Sequence, residues 1–240
     1  MDMQNKVIEQ QNTEINKSNQ TLQKTFSIIS HDLRNPFNAL LGYSTLLINN
    51  FDRYSEEKKM YHLKIIRSAA EINYNLTQSL LCWSLKQHQG YKVSKSKQNL
   101  QSFIEQVVVS LSGFTELKNA LIEINIPNKI VFVDNDIIAV ILNNLLTNSI
   151  KFSKKNLIIK ILSSVSQEQL CISICSVGII LSDEKLKAIV YYLNSTTTEE
   201  DSHIGFGLKI AKEMALLHNG FIEFYSENGN TEVRLILNTV

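Results

Sequence analysis

Three groups of residues in this 240-residue chain have the types and spacing to do chemistry. The first is His31, with Asp32 beside it and Asn35 one helical turn further on. Phe26, Ile29, Leu33, Phe37, Leu40, Ser44 and Leu47 recur at threes and fours, which predicts an amphipathic helix. At 100° per residue, His31 lies roughly 160° from the centre of that apolar stripe, so its imidazole is expected in solvent. An exposed ring nitrogen with a carboxylate to orient it or take its proton, and an amide on the same face to hold a water or an oxyanion, suits nucleophilic phosphoryl chemistry. The second group is Asn144, Asn148 and Lys151, spaced four and three apart and therefore within about 60° on one helix face. Two amides and an ammonium on one stripe match a hydrated Mg²⁺ and a polyphosphate. The third is Gly205, Gly207 and Leu208, where glycines open directly into a helix and leave backbone amides uncovered for phosphate oxygens.

The elements that must position these groups are visible in the periodicity. A second long helical pattern runs from about 56 to 86, with Leu63, Ile66, Ala69, Ala70, Ile72, Leu76, Leu80, Leu81 and Trp83 on a broad apolar face. Only a short polar stretch with Asn49, Asn50 and Asp52 separates the two helices, so they form an antiparallel hairpin. A face this broad implies packing on a second copy of the chain as well as on its own partner helix. The polar stretch 87–98, which contains Gly90, breaks the period and marks a domain boundary. Beyond it helices are expected over 100–111, 136–152 and 205–218, with a further short helix starting at Asp183, and strands over 120–126, 129–133, 157–165, 169–175, 221–225 and 231–237. Strands with helices gathered on one face give an α+β two-layer sandwich. The division expected is a lead-in over 1–24, a helical domain over 25–88 and a mixed domain over 98–240. Ile8, Ile15, Leu22 and Ile29 recur every seven residues in the lead-in, which reads as a coiled coil or as a solvated helix.

Composition limits the alternatives. Lys+Arg 24 against Asp+Glu 23 leaves a formal charge of +1, which argues against nucleic acid or an anionic membrane as a partner. The 3 cysteines, 82, 171 and 175, follow no zinc-ligand spacing and with 2 prolines suggest a reducing cytoplasm. No apolar run approaches the roughly 20 residues that cross a bilayer, so any membrane attachment would come from a sensor region absent from this chain.

The string Phe26-Ser-Ile-Ile-Ser-His-Asp-Leu-Arg-Asn-Pro-Phe-Asn-Ala-Leu-Leu-Gly resembles the phospho-acceptor box of two-component sensor histidine kinases almost residue for residue, and the likeness extends from about residue 20 to the C-terminus. The resemblance implies that His31 is phosphorylated, that Asp32 is the general base and that Asn35 serves phosphatase chemistry. It makes the hairpin a dimerisation and phosphotransfer domain forming a four-helix bundle. The string 142–152 resembles the N box of the family's GHKL-type ATPase domain, which implies Asn148 as Mg²⁺ ligand, Lys151 as a phosphate contact and Asn144 as part of the same wall. Residues 203–209 resemble the G2 box, and the polar 194–202 the lid before it. The implied cofactors are ATP and Mg²⁺, and the implied partner is a response-regulator receiver domain.

One box departs from the pattern. Where the family carries Asp-x-Gly-x-Gly to read adenine, this chain has Ser176-Val177-Gly178-Ile179-Ile180. Ser176 replaces the Asp and Ile180 the second glycine, while Gly178 is kept. A charge-assisted hydrogen bond is worth roughly 1.5–3 kcal/mol, so a neutral hydroxyl in its place predicts nucleotide affinity lower by ten- to a hundred-fold or more. Two other readings follow from the residues: a nucleotide-independent phosphotransfer or phosphatase protein with a degenerate ATP site, and a purely structural dimerisation module.

Overall fold

The computed structural model describes residues 23, 27, 29–87, 92–152, 156–166, 169–177, 182–195, 205–227 and 230–238, with the side chains of 82, 83 and 85–87 outside that set. The expected lead-in over 1–24 therefore falls outside the described residues, apart from position 23. Helix α1 covers 29–49 and continues through Pro36. A 3-10 turn, Phe51–Arg53, leads to α2, Glu56–Gln87, a helix of 32 residues. Ser55 starts α2 by accepting the Lys58 amide on its hydroxyl at 3.3 Å, and Glu56 and Glu57 follow in the first turn, where acidic groups favour the helix dipole.

The remaining elements are β1 (Ser96–Asn99), α3 (Leu100–Val109), α4 (Ser112–Lys118), β2 (Leu121–Asn125), β3 (Ile130–Val133), α5 (Asn135–Lys151), β4 (Ile158–Val165), β5 (Gln169–Val177), α6 (Asp183–Asn194), α7 (Phe206–Leu217), β6 (Gly220–Glu227) and β7 (Asn230–Asn238). Five strands form one sheet in the order β2-β4-β5-β7-β6, with β2 parallel to β4 and the other pairs antiparallel. Strands β1 and β3 make a separate antiparallel pair. The expected two-layer architecture is present: α5 and α7 pack on the sheet through Ile141, Leu145, Ile210 and Met214 against Ile159, Ile172, Ile174 and Leu235. Strand burial alternates along β5 and β7, as a sheet covered on one face requires.

Two elements escaped the sequence reading. Helix α4 has seven residues and only Gly113 and Phe114 buried, too short to show a period. Strand β1 lies inside the polar stretch read as a boundary, and its first two residues precede residue 98, the expected start of the second domain. Its pairing with β3 rests on backbone hydrogen bonds, which any side-chain pattern permits. Helix α7 stops at Asn219-Gly220: Asn219 adopts φ 58°, and a Cβ at Gly220 would clash with the Ile236 carbonyl oxygen, so the strand pair closes only around a glycine.

The broad apolar face of the hairpin is half covered within one chain. Ile29, Leu47 and Ala69 are buried, whereas Phe37, which the heptad-like stripe placed inward, is 51% exposed, and Leu41, Leu63 and Leu81 are exposed with it. Two helices of one chain shield only one side of each other, which leaves the rest of the stripe open. Among the described residues, no helix is long and apolar enough to cross a membrane.

Candidate functional site

The acceptor end is built by a single helix. The imidazole of His31 is 72% exposed, and its Nδ1 lies 3.3 Å from Asp32 Oδ1. A carboxylate at Nδ1 holds the proton there and leaves Nε2 with a lone pair directed away from the helix. Asn35 is exposed one turn further on.

The second end is assembled from several elements. Asp134 caps α5 by accepting the Asp136 and Ile137 amides at 3.1 and 3.2 Å, and nine residues of the helix are buried against the sheet and its neighbours. That burial sets the rotation of α5 and turns its polar stripe toward a cleft. Asn144 donates to Val140 O at 2.8 Å and to Ser79 Oγ of α2 at 3.1 Å, tying this helix to the hairpin. A Cβ at Gly207 would lie 2.6 Å from Asn144 Oδ1, so α7 starts this close to α5 because position 207 has no side chain. Gly205 is the N-cap of α7, Leu208 follows in the first turn, and Phe206 between them is fully buried, anchoring the turn.

The cleft so formed has a polar mouth and an apolar interior. Asn148, Lys151, Lys185, Gly205 and Gly207 line the mouth, and Asp32 of the hairpin joins them. Leu145, Ile189, Phe224 and Val233 line the interior. The ammonium of Lys185 lies 4.1 Å and that of Lys151 5.6 Å from the centre of the Phe152 ring, so two cations flank one aromatic face at the entrance. A second cavity of about 450 Å³ lies between hairpin and sheet domain, and Asp32, Asn35, Asn144, Asn148 and Lys151 border it. The two cavities share Asp32, Asn148 and Lys151.

The structure thus brings Asp32, Asn35, Asn144, Asn148, Lys151, Gly205, Gly207 and Leu208 along one connected cleft. Ser176 sits just behind it, paired in register between Ile159 on β4 and Thr231 on β7. Gly178, Ile180 and most of the expected lid lie outside the described residues. Sequence reasoning missed Thr231, Lys185, Ile189 and Phe224, which line the cleft from β7, α6 and β6. Their only signal was alternation along a strand or a helix face, which places a side chain inward without saying what it meets.

Outside the cleft, burial and hydrogen bonding set the remaining electrostatics. Burial lowers the pKa of Lys212, whose ammonium donates to Tyr192 O and Ser195 O and so satisfies carbonyls at the end of α6. Burial likewise lowers the pKa of His218, whose Nε2 accepts the Asp134 amide at 3.1 Å beneath the start of α5.

The residues present fit a nucleotide triphosphate. The apolar interior suits a flat base, the glycine-opened helix start and the lysines suit phosphates, and the buried Ser176 Oγ has no hydrogen-bond partner among the described residues. Asn148 offers one neutral amide oxygen at the mouth, which would suit an ion that keeps waters and phosphate oxygens in its shell.

Comparison with known proteins agrees with both ends. Residues 21–81 match the His Kinase A (phospho-acceptor) domain, and residues 133–239 match the histidine kinase-, DNA gyrase B- and HSP90-like ATPase. The sensor protein KdpD of Clostridium acetobutylicum is 26% identical over 81% of this chain and 22% of its own length. The sensor protein VanS of Enterococcus faecium is 27% identical over 87% of this chain and 55% of its own. The adaptive-response sensory kinase SasA of Prochlorococcus marinus is 27% identical over 93% of this chain and 60% of its own. The chain therefore spans between about a fifth and three fifths of these relatives. Among solved structures, histidine kinase ThkA in complex with response regulator protein TrrA superposes with a TM-score of 0.57 at 18% identity, covering 94% of this chain and 64% of that one. Acinetobacter baumannii histidine kinase AdeS gives 0.55 at 18% identity, over 87% and 98%. At that identity the two structures speak for the fold. With a phospho-acceptor hairpin followed by an ATP-binding domain of this type, the chain belongs to the two-component sensor histidine kinases.

Proposed function

We propose that this chain is a kinase core that autophosphorylates His31 from ATP and passes the phosphoryl group to an aspartate of a response-regulator receiver domain. The observation that carries the reading is the shared cleft: Asp32, neighbour of the exposed imidazole, borders the same space as Asn148, Lys151, Gly205 and Gly207. In this reading Nε2 of His31 attacks the γ-phosphorus, the bond to the β-phosphate oxygen breaks, and Asp32 steadies the positive charge on the ring through Nδ1. Asn148 would hold Mg²⁺, which would supply charge neutralisation at the phosphates; Lys151 would add a positive charge there, Asn144 completes the wall, and Gly205, Gly207 and Leu208 would present backbone to the phosphates. In the same reading Ser176 and Gly178 are the residues assigned to the base. Asn35 positions a water for phosphatase chemistry, in which water attacks the receiver's aspartyl phosphate and releases aspartate and inorganic phosphate. A second copy of the chain covers Phe37, Leu41, Leu63 and Leu81 to complete a four-helix bundle. The core works in the cytoplasm, with its sensor region elsewhere in a longer protein. ThkA, described in complex with the response regulator TrrA, supports the choice of partner.

Incubation with γ-labelled ATP and Mg²⁺ tests the reading. Acid-labile label on the natural chain and none on His31→Ala is expected, and label retained by His31→Ala would refute the acceptor. The buried neutral hydroxyl of Ser176 favours a second reading, nucleotide-independent phosphotransfer or phosphatase action. That reading prevails if millimolar ATP fails to bind while a phosphorylated receiver domain still loses its phosphate to the chain.

A further inference from the structure

Two side-chain hydroxyls face the same side of the sheet at the inner end of the cleft, Thr231 in its lining and Ser176 directly behind it. Ser176 on β5 is 1% exposed and Thr231 on β7 is 4% exposed. They are directly paired across the two strands, and residues paired in this way project from the same face. That face also carries Ile174 and Val233 and is covered by helices, and Thr231 and Val233 both line the cleft. Ser176 Oγ finds no hydrogen-bond partner among the described residues. A buried hydroxyl left unmatched costs stability unless something that enters the site satisfies it. The apolar walls of Leu145, Ile189 and Phe224 leave space for a flat ring whose edge would meet these hydroxyls.

Hydrogen-bond capacity then decides which edge is accepted. An ionised carboxylate only accepts, so it selects a base that presents an amino group and repels one that presents a carbonyl oxygen. A hydroxyl rotates and can donate or accept. Adenine offers a donor at its 6-position and guanine an acceptor at the same place. Two adjacent hydroxyls serve either edge equally, by turning one hydrogen toward the base or away from it.

We infer that the Ser176–Thr231 pair makes this a purine site of relaxed selectivity, binding 6-oxo as well as 6-amino purine nucleoside triphosphates, GTP alongside ATP. The inference rests on the nucleotide reading of the cleft proposed above. Lys185, Lys151 and the α7 start hold the phosphates common to both nucleotides, so most of the binding does not depend on the base.

Calorimetric titration of the whole chain with MgATP and, separately, MgGTP tests it, on the natural sequence and on Ser176→Asp and Ser176→Ala. The natural chain should bind the two within about tenfold of each other, the range that one neutral hydrogen bond spans. Ser176→Asp should shift the ratio toward ATP by roughly a hundredfold, because the carboxylate is a charged acceptor for the amino group of one base and repels the carbonyl oxygen of the other. Should the carboxylate prevent folding, Ser176→Ala carries the test, and it should weaken both nucleotides together and leave the ratio unchanged. ATP preferred by more than a hundredfold in the natural chain, an unchanged ratio in folded Ser176→Asp, or selective loss of one nucleotide in Ser176→Ala would overturn the inference while leaving the kinase reading intact. Failure of both nucleotides to bind at millimolar concentration would overturn the inference and the kinase reading together.

Discussion

The acceptor and nucleotide ends use the same residue chemistry on opposite structural terms. His31 and Asp32 are neighbours on one exposed helix, and their geometry depends on little beyond the helix itself. The nucleotide cleft needs α5, α6, α7, β6 and β7 in place together, with Thr231 in its lining and Ser176 buried behind it. Substitutions at the acceptor end should therefore abolish chemistry and spare the fold, whereas those at the cleft should weaken binding and, in its walls, stability. A phosphoryl acceptor has to be reached by other domains, while a nucleotide has to be surrounded.

That contrast can be broken most directly at His31. His31→Ala should reduce phosphoryl labelling to background while the melting temperature and the dimer measured by light scattering stay unchanged, since an exposed side chain contributes little to folding. Next in size, Asn148→Ala should slow labelling by about a hundredfold with only a small change in stability, as expected for removal of one preorganised polar group at a charged site. Labelling at the natural rate in Asn148→Ala would move the metal site elsewhere. In the core beneath the cleft, Ile141→Ala should cost about 2–5 kcal/mol by denaturant titration, because Ile141 is fully buried between α5 and the sheet.

The pH dependence sharpens the comparison with a smaller effect. Burial lowers the pKa of His218 in the folded chain, so below about 6.5 the unfolded chain takes up a proton that the folded chain resists. Stability should be constant with respect to this group above pH 6.5 and fall as the pH drops below it. Scanning calorimetry from pH 8 to 5 checks this, and His218→Asn should flatten the slope. At the low end, Lys64→Ala should cost under about 1 kcal/mol, because its 3.1 Å ion pair with Glu116 is half exposed to solvent.

The lysine and its neighbours show what the sequence could not foretell. Arg67 Nη2 donates to Ser112 Oγ at 2.6 Å, Lys64 pairs with Glu116, and Asn144 reaches Ser79, so three contacts join the hairpin to the ATPase-type domain. Each links residues at least 45 positions apart, and each partner alone reads as an ordinary polar residue on a helix surface. Helix α4 was invisible for the same reason: its place is set by Phe114 and by contacts with α2, not by a period of its own.

Periodicity determined α1, α2, α5 and α7, the strand alternation of β4, β5 and β7 and the outward face of His31, because those features follow from 3.6- and two-residue repeats written along a single segment. Motif spacing likewise put Asn144, Asn148 and Lys151 on one stripe and the glycines at a helix start. Only the tertiary structure decided that Asp32 borders the cleft of α5 and α7, that Ser176 stands beside Thr231, and that Lys185 and Phe152 meet at the mouth. Those arrangements depend on which faces pack and in what register. Buried area and hydrogen-bond geometry settle that across the whole chain at once, and no local stretch of residues encodes it.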